Sequence, residues 1–317
     1  MTTKPRGIQN RTLSLSPGEQ QVLAERVIRV ESLAELLFLE DITDRSFCGD
    51  MMALLPLLPD RFADLIFLDP PYNIYKVYNG QKWNPKSDEG YDAWMESWMG
   101  SLLQKLKPSG TVYLCGDWKN TAILQRVLSR HLSVLNRITW QREKGRGAAR
   151  NWKNGMEDIW FAVANPSDYY FNVDAVKVRR LVKAPYRRNG KPKDWHATED
   201  GNFRDTCPSN FWDDITVPFW SMPENTDHPT QKPEKLLAKL LLASCPPGGT
   251  VLDPFMGSGT TSVTAKKLGF HWVGIEREMP YCLLAEKRLQ MADDNKDIQG
   301  FSDGVFWERN TLKFQNK

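Results

Sequence analysis

The 317-residue sequence predicts an α/β fold, a mostly parallel twisted sheet with helices on both faces, on three observations. From residue 45 onward, strand-like and helix-like runs alternate, as they do when crossovers link parallel strands. Two of the strand-like runs, Asp64-Leu65-Ile66-Phe67-Leu68 and Thr250-Val251-Leu252, lack the polar alternation of a half-exposed strand, so they read as strands buried on both faces. Each ends in a loop of unusual composition, Asp69-Pro70-Pro71-Tyr72-Asn73 after the first and Asp253-Pro254-Phe255-Met256-Gly257-Ser258-Gly259-Thr260-Thr261 after the second. Both loops therefore leave carboxyl ends of strands, where open α/β sheets bind their ligands.

Taken in order, residues 1–44 form an N-terminal extension with two capping boxes, Ser16-Pro17-Gly18-Glu19 and Ser32-Leu33-Ala34-Glu35. Each should open a helix. The pair is expected either to pack over a sheet edge or to form a partner surface. Residues 45–171 carry the first half of the sheet. A polar loop follows Asp69, then a helix near Tyr91–Leu106, a strand at Thr111-Val112-Tyr113-Leu114, and apolar runs at Ile123–Leu128, Leu135–Trp140 and Asp158–Val163. Between the last two, Gly145, Gly147 and Gly155 lie among five cations, a composition expected to be mobile.

In residues 172–227 the charge segregates. Lys177 to Lys193 holds eight Lys or Arg and no acid, whereas Asp194 to Asp227 holds eight acids against Arg204 alone. In a chain of net charge +3, such a block reads as a footprint for a polyanion or as a solvated loop. The aromatic residues Tyr186, Trp195, Phe203, Phe211, Trp212, Phe219 and Trp220 favour an ordered module. Residues 228–292 hold the second half of the sheet, and 293–317 read as a polar, uninformative tail.

Composition excludes several classes. No 18-residue apolar run and no signal-peptide core occur, so a soluble cytoplasmic protein without membrane contact is expected. Five cysteines without C-x-x-C spacing and four histidines without H-x-x-x-H spacing indicate neither a disulfide framework nor a metal site. Cys48 and Cys115 read as small core residues.

The two loops carry the chemistry. A given Asp-Pro-Pro-Tyr tetrad is expected by chance in roughly one chain of this length in several hundred. The glycine loop is not a phosphate-binding loop, which needs Gly-Lys-Ser/Thr, and it lacks the third glycine of G-x-G-x-x-G. Gly257 and Gly259 would let backbone amides approach a ligand, and the helix N-terminus that follows favours a carboxylate. Glu276 ends the next strand, where an acid accepts two ribose hydroxyls.

Five motifs occur in sequence: Ser46-Phe47-Cys48-Gly49-Asp50, the Asp69 tetrad, His228-Pro229-Thr230-Gln231-Lys232-Pro233, the glycine loop, and Gly274-Ile275-Glu276. As a set, over roughly residues 45 to 290, the chain resembles the S-adenosylmethionine-dependent DNA amino-methyltransferases of the permuted class, in which the catalytic motif precedes the cofactor motif. The resemblance implies a Rossmann-like sheet in circularly permuted methyltransferase order, with its last strand antiparallel and an inserted target-recognition region at 172–227. It implies S-adenosylmethionine as cofactor, with Asp50 near the adenine ring and Thr230 and Lys232 near the cofactor's carboxylate. Asp69, Asp253, Phe255, Gly257, Ser258, Gly259, Thr260, Thr261 and Glu276 complete that set, and His228 is expected to orient its loop.

At the reacting centre, Asp69 and the Pro70 carbonyl would accept the two protons of an exocyclic amine, Pro71 would stiffen the loop and Tyr72 would offer a face to an extruded base. No Pro-Cys dipeptide exists for attack at cytosine carbon-5. Asp at the head of the tetrad favours adenine N6, with cytosine N4 as the alternative; a DNA-binding module without catalysis and a nicotinamide dehydrogenase fit less well. DNA is the expected partner, contacted by Arg179, Arg180, Lys183, Arg187, Arg188, Lys191 and Lys193. A cognate restriction endonuclease acting on the same site and a homodimer are further partners that the resemblance suggests.

Overall fold

The computed structural model describes residues 10–78, 81–142, 149–182, 187–198, 201–309 and 311. Its centre is a nine-stranded sheet in the order Ile28–Arg29, Arg45–Cys48, His271–Glu276, Thr250–Asp253, Ala63–Leu68, Leu106–Gly116, Met156–Val163, Ser133–Gln141 and Phe211–Trp212. Every neighbouring pair is parallel except the two made by Met156–Val163, which runs antiparallel to Leu106–Gly116 and to Ser133–Gln141. The expected antiparallel strand is thus present, within the sheet and not at its edge.

The strand Ala63–Leu68 shows why continuous apolar runs mean double burial. All six residues are buried; Leu65 and Phe67 join the apolar cluster on one face, while Ile66 and Leu68 join the other, as the two-residue side-chain period requires. One face is covered by the helices Asp88–Leu103 and Thr121–His131, through Tyr91, Met95, Trp98, Leu124 and Leu128. The other is covered by Glu234–Ser244, Thr260–Leu268 and Met279–Asp294, through Leu237, Leu241, Val263 and Leu289. Cys48 and Cys115 are buried, in keeping with their reading as core residues. Among the described residues no helix is long and apolar enough to cross a membrane.

The first capping box forms: Ser16 Oγ accepts from Glu19 N at 3.3 Å, Glu19 Oε2 accepts from Ser16 N at 2.9 Å, and the helix Pro17–Ala24 follows. The second does not. Ile28–Arg29 instead pairs with Phe47–Cys48 at the sheet edge, the chain tightens into a single turn Val30–Ser32, and Ser32 Oγ donates back to Arg29 O at 2.7 Å. A short polar side chain that bonds to local backbone competes with the helix it was expected to cap. The helix expected near Tyr91–Leu106 begins earlier, at Asp88, because Ser87 caps it through Gly90 N.

Residues 293–317 also depart from their reading as an uninformative tail. Phe301–Ser302 and Val305–Trp307 form a hairpin across Asp303-Gly304, and Val305–Trp307 pairs with Val178–Leu181. The result is a separate five-stranded sheet in the order His196–Thr198, Gly201–Thr206, Val178–Leu181, Val305–Trp307 and Phe301–Ser302. Phe306 is fully buried and Trp307 nearly so, so the last strands are integral to this unit. An Asp-Gly pair between apolar residues is a hairpin signal that was legible in the sequence. Of the stretch expected to be mobile, residues 143–148, with Gly145 and Gly147, lie outside the described residues, as does Tyr186.

Candidate active site

Ala63–Leu68 and Thr250–Asp253 are adjacent in the sheet, with Leu65 opposite Val251 and Ile66 opposite Leu252. This pairing brings the Asp69 loop and the glycine loop side by side at the carboxyl edge. The Asp69 loop is fixed from outside. Tyr91 Oη donates to Pro71 O at 3.0 Å, and Asn73 brackets the backbone of Lys86, accepting from its N at 2.7 Å and donating to its O at 3.0 Å.

Asp69, Pro70, Pro71, Tyr72, Asp50, Thr230, Phe255, Gly257 and Glu276 line one cavity of about 440 Å³. At its far end Glu276 Oε2 accepts from Gly257 N at 2.9 Å and Oε1 accepts from Glu278 N at 2.8 Å. Burial pushes the Glu276 carboxyl up to about 7, against those bonds, and pushes Asp253, which accepts from Phe255 N at 3.0 Å, up to about 7 as well. Asp50 Oδ1 accepts from Met52 N at 2.9 Å at the end of the neighbouring strand.

Gly257 has φ +55°, and a Cβ there would lie 3.0 Å from His228 Nε2. His228 packs edge-on to Tyr281 at 4.5 Å, and burial, with Lys232 and Lys76 nearby, pushes its pKa down to about 3, so the ring is neutral. The other glycine acts differently. Gly259 has φ +78°, and its missing Cβ would stand 2.5 Å from Ala285 Cβ, so its lack of a side chain serves helix packing. Ser258, Thr260 and Thr261 are buried behind the cavity. Ser258 O and Thr260 Oγ1 accept from Arg288, Thr260 Oγ1 donates to Lys232 O, and Thr261 hydrogen-bonds Asp253.

Lys232 turns its ammonium to the Asp69 carboxylate. It is 6% exposed, and its Nζ lies 2.5 Å from Asp69 Oδ2, 3.3 Å from Tyr72 Oη and 3.5 Å from Glu157 Oε2. Tyr72 Oη donates to the same Glu157 oxygen at 3.1 Å, and Arg142 pairs with Glu157 Oε1. Burial opposes both charges, but Asp69 and Glu157 hold the Lys232 pKa above its ordinary value, while Lys232 and Arg142 hold Glu157 below its own. Two acids and two cations thus neutralise one another. Asp69 Oδ1 is buried and has no hydrogen-bond partner among the described residues. Glu157, Arg142 and Lys76, whose pKa burial pushes down to about 8, escaped the sequence reading; the one available signal was an acid at the head of the buried run that ends at Val163.

The basic block divides. Arg179 donates twice to Asp205, at 2.8 Å each, and Arg180 lies 4.0 Å from Glu308, so both face acids of the small sheet. Arg187 and Arg188 pair with Pro192 and Lys191 across Asn189-Gly190, in an exposed hairpin that Lys193 follows, and Arg187 lies over the Trp195 ring at 5.3 Å. Lys183 lies outside the described residues.

Residues 63–287 match the family model described as DNA methylase, well over half of the chain. The chain belongs to the DNA methylase family. Over 254 residues, 77% of its length and 82% of the relative's, this DNA methylase is 34% identical to the DNA adenine methyltransferase YhdJ of Escherichia coli (strain K12). It is 31% identical over 247 residues to the Type II methyltransferase M.HpaI of Haemophilus parainfluenzae, covering 77% and 74% of the two chains. Among solved structures it is similar to the M1.HpyAVI–SAM complex, with a TM-score of 0.51, 23% identity and coverage of 77% and 98%. It is also similar to the PvuII DNA methyltransferase (cytosine-N4-specific), with a TM-score of 0.57, 15% identity and coverage of 80% and 92%. At these identities the structural likeness bears on the fold.

Proposed function

We propose that this DNA methylase transfers a methyl group from S-adenosylmethionine to the N6 amine of adenine in DNA, acting directly on a base extruded from the stack. The observation that carries this reading is Asp69 Oδ1, a buried acceptor without a partner on a residue that lines the cavity. Buried polar atoms are nearly always paired, so an orphan at a cleft reads as one whose partner arrives with the substrate. Adenine is favoured over cytosine N4 by the 34% identity to a relative named as an adenine methyltransferase, with Asp69 at the head of its tetrad.

The cavity fits the cofactor. Glu276 offers carboxylate oxygens to ribose hydroxyls, and Gly257, where a Cβ would fill the space before His228, lets backbone come close. Asp50, Phe255 and Thr230 line the same recess, and we assign the first two to the adenine end and Thr230 to the amino-acid end. When bound, S-adenosylmethionine supplies an electrophilic methyl group. The chain's own residues prepare the acceptor. Asp69 Oδ1 and the Pro70 carbonyl accept the two amine protons, which localises the nitrogen lone pair that the base ring otherwise delocalises. Tyr72 holds the base by stacking, and positioning supplies much of the rate.

The small sheet and the hairpin 187–192 serve as the target-recognition region, with exposed Arg187, Arg188, Lys191 and Lys193 directed to phosphates. A cytoplasmic location, a homodimer and a cognate endonuclease for the same DNA site belong to this reading. Incubation with labelled cofactor and DNA, followed by digestion to nucleosides, tests the reaction. The label is expected on N6-methyldeoxyadenosine, and recovery only on cytosine would overturn the adenine assignment.

A further inference from the structure

A carboxylate at the end of a strand turns about a broad, roughly two-fold torsion, so an unrestrained Asp69 would not keep one oxygen available in a fixed direction. In this protein one oxygen is held and the other is not. Lys232 Nζ sits 2.5 Å from Oδ2, while Oδ1 has no partner among the described residues. An ammonium has three protons to donate. Lys232 donates to Asp69 Oδ2 and Tyr72 Oη and is ion-paired with Glu157 Oε2 at 3.5 Å, so its ammonium is engaged by side chains of the reacting centre. The lysine itself is held, since Thr260 Oγ1 donates to its carbonyl at 3.1 Å. Lys232 also stands outside the cavity wall that Thr230, two residues earlier, helps to form.

We propose that Lys232 is a positioning residue for methyl transfer: by fixing Oδ2 of Asp69 it presents Oδ1 to the target amine, and it acts through Asp69 and not through the cofactor. The proposal rests on the reading of Asp69 as the amine acceptor. A buried ion pair is weak as a device for stability, because desolvation consumes most of the attraction. This cluster, with Lys232 6% and Glu157 4% exposed, is accounted for by what it does to Asp69.

The test uses the full-length protein, labelled S-adenosylmethionine and DNA from cells without adenine methylation. With both substrates saturating, Lys232→Met should lower the single-turnover rate by about 10- to 100-fold, a loss of the size expected for a misplaced acceptor, while cofactor Kd stays within about threefold. Lys232→Arg should recover part of the rate. In an Asp69→Asn background, Lys232→Met should cost less than about threefold, because two residues acting as a unit do not add. An unchanged rate with cofactor affinity weakened about tenfold would overturn the proposal in favour of a cofactor role, and fully multiplicative losses would overturn it too.

Should Lys232→Met lose its cooperative melting transition, Lys232→Met/Glu157→Gln takes its place. That variant keeps the cluster neutral through Asp69 and Arg142, and the same outcomes decide. Label found on cytosine would overturn the adenine reading alone, since the Lys232 test reads transfer to either exocyclic amine.

Discussion

Replacing Glu276 by Gln changes one atom and should uncouple cofactor binding from pH. In the parent, both carboxylate oxygens accept backbone N–H groups, from Gly257 at 2.9 Å and Glu278 at 2.8 Å. An amide has one oxygen, so whichever way it turns, its NH₂ faces one of those donors. A ribose hydroxyl that meets the amide in place of the carboxylate loses a charged acceptor worth about 1.5–3 kcal/mol, so cofactor Kd should rise roughly 10- to 150-fold. The sign of the pH effect follows from burial. The free folded protein keeps the Glu276 proton up to about 7, above the ordinary 4.5, whereas ribose hydroxyls donate best to the ionised form. Parent affinity should therefore rise with pH to about 7 and flatten above it, and fall by up to about tenfold per unit below.

The same raised value means that the cofactor-free fold loses stability as pH rises from 4.5 through about 7, the interval in which the unfolded chain has released a proton that the folded chain keeps. Calorimetry at about pH 6 and pH 8, in buffers of different ionisation enthalpy, reads both affinity and proton release. Asp253 titrates nearby, also near 7, so the Glu276→Gln variant isolates the contribution of Glu276. If Glu276→Gln bound the cofactor within about threefold of the parent at high pH, or if parent affinity were equal at both pH values, the assignment would be refuted.

Asp69→Ala should retain cofactor and DNA binding while the single-turnover rate falls by about 10²–10³ or more; a rate within a few-fold of the parent would remove Asp69 as the acceptor. Neutralising Arg187, Arg188 and Lys191 together should weaken DNA binding and reduce the log–log salt slope by about 0.9 for each phosphate left without its cation, with cofactor affinity unchanged. An unaltered slope would return the hairpin to a solvated loop. Gly259→Ala must place a Cβ 2.5 Å from Ala285 Cβ at φ +78°, so urea unfolding should show a loss of about 2–5 kcal/mol; a midpoint equal to the parent's would contradict the packing role given to this glycine.

Hydropathy alone located both loops at strand ends, because a strand buried on both faces must be apolar throughout, as Ala63–Leu68 is. It could not say that Ala63–Leu68 and Thr250–Asp253 are neighbours. That adjacency is a property of sheet order, which the set of motifs suggested and local composition does not encode. The second capping box fails for a related reason: Ser32 and Glu35 carry the right spacing, but edge pairing of Ile28–Arg29 with Phe47–Cys48 captures the preceding chain. Lys232 was legible as part of its motif, but only the folded chain shows that it donates to Asp69 and Tyr72 and pairs with Glu157.

The charge segregation of residues 177–227 shows the limit most clearly. Read along the chain, a basic block precedes an acidic one, and the natural inference is that the basic block is free to meet a polyanion. In the folded protein the two blocks are partly strands of one antiparallel pair, with Arg179 directly opposite Asp205 and Arg180 opposite Arg204. Arg179 is consumed by Asp205 in a two-pronged pair, and Arg204 turns to Asp194 at 3.1 Å. What the strands cannot neutralise is the hairpin beyond them. Arg187, Arg188 and Lys191 cluster there around Asn189-Gly190, with Arg187 lying over Trp195. The proposed phosphate contacts therefore fall to the exposed hairpin residues and not to the strand arginines, and an Arg179→Ala substitution should act mainly on the stability of the small sheet.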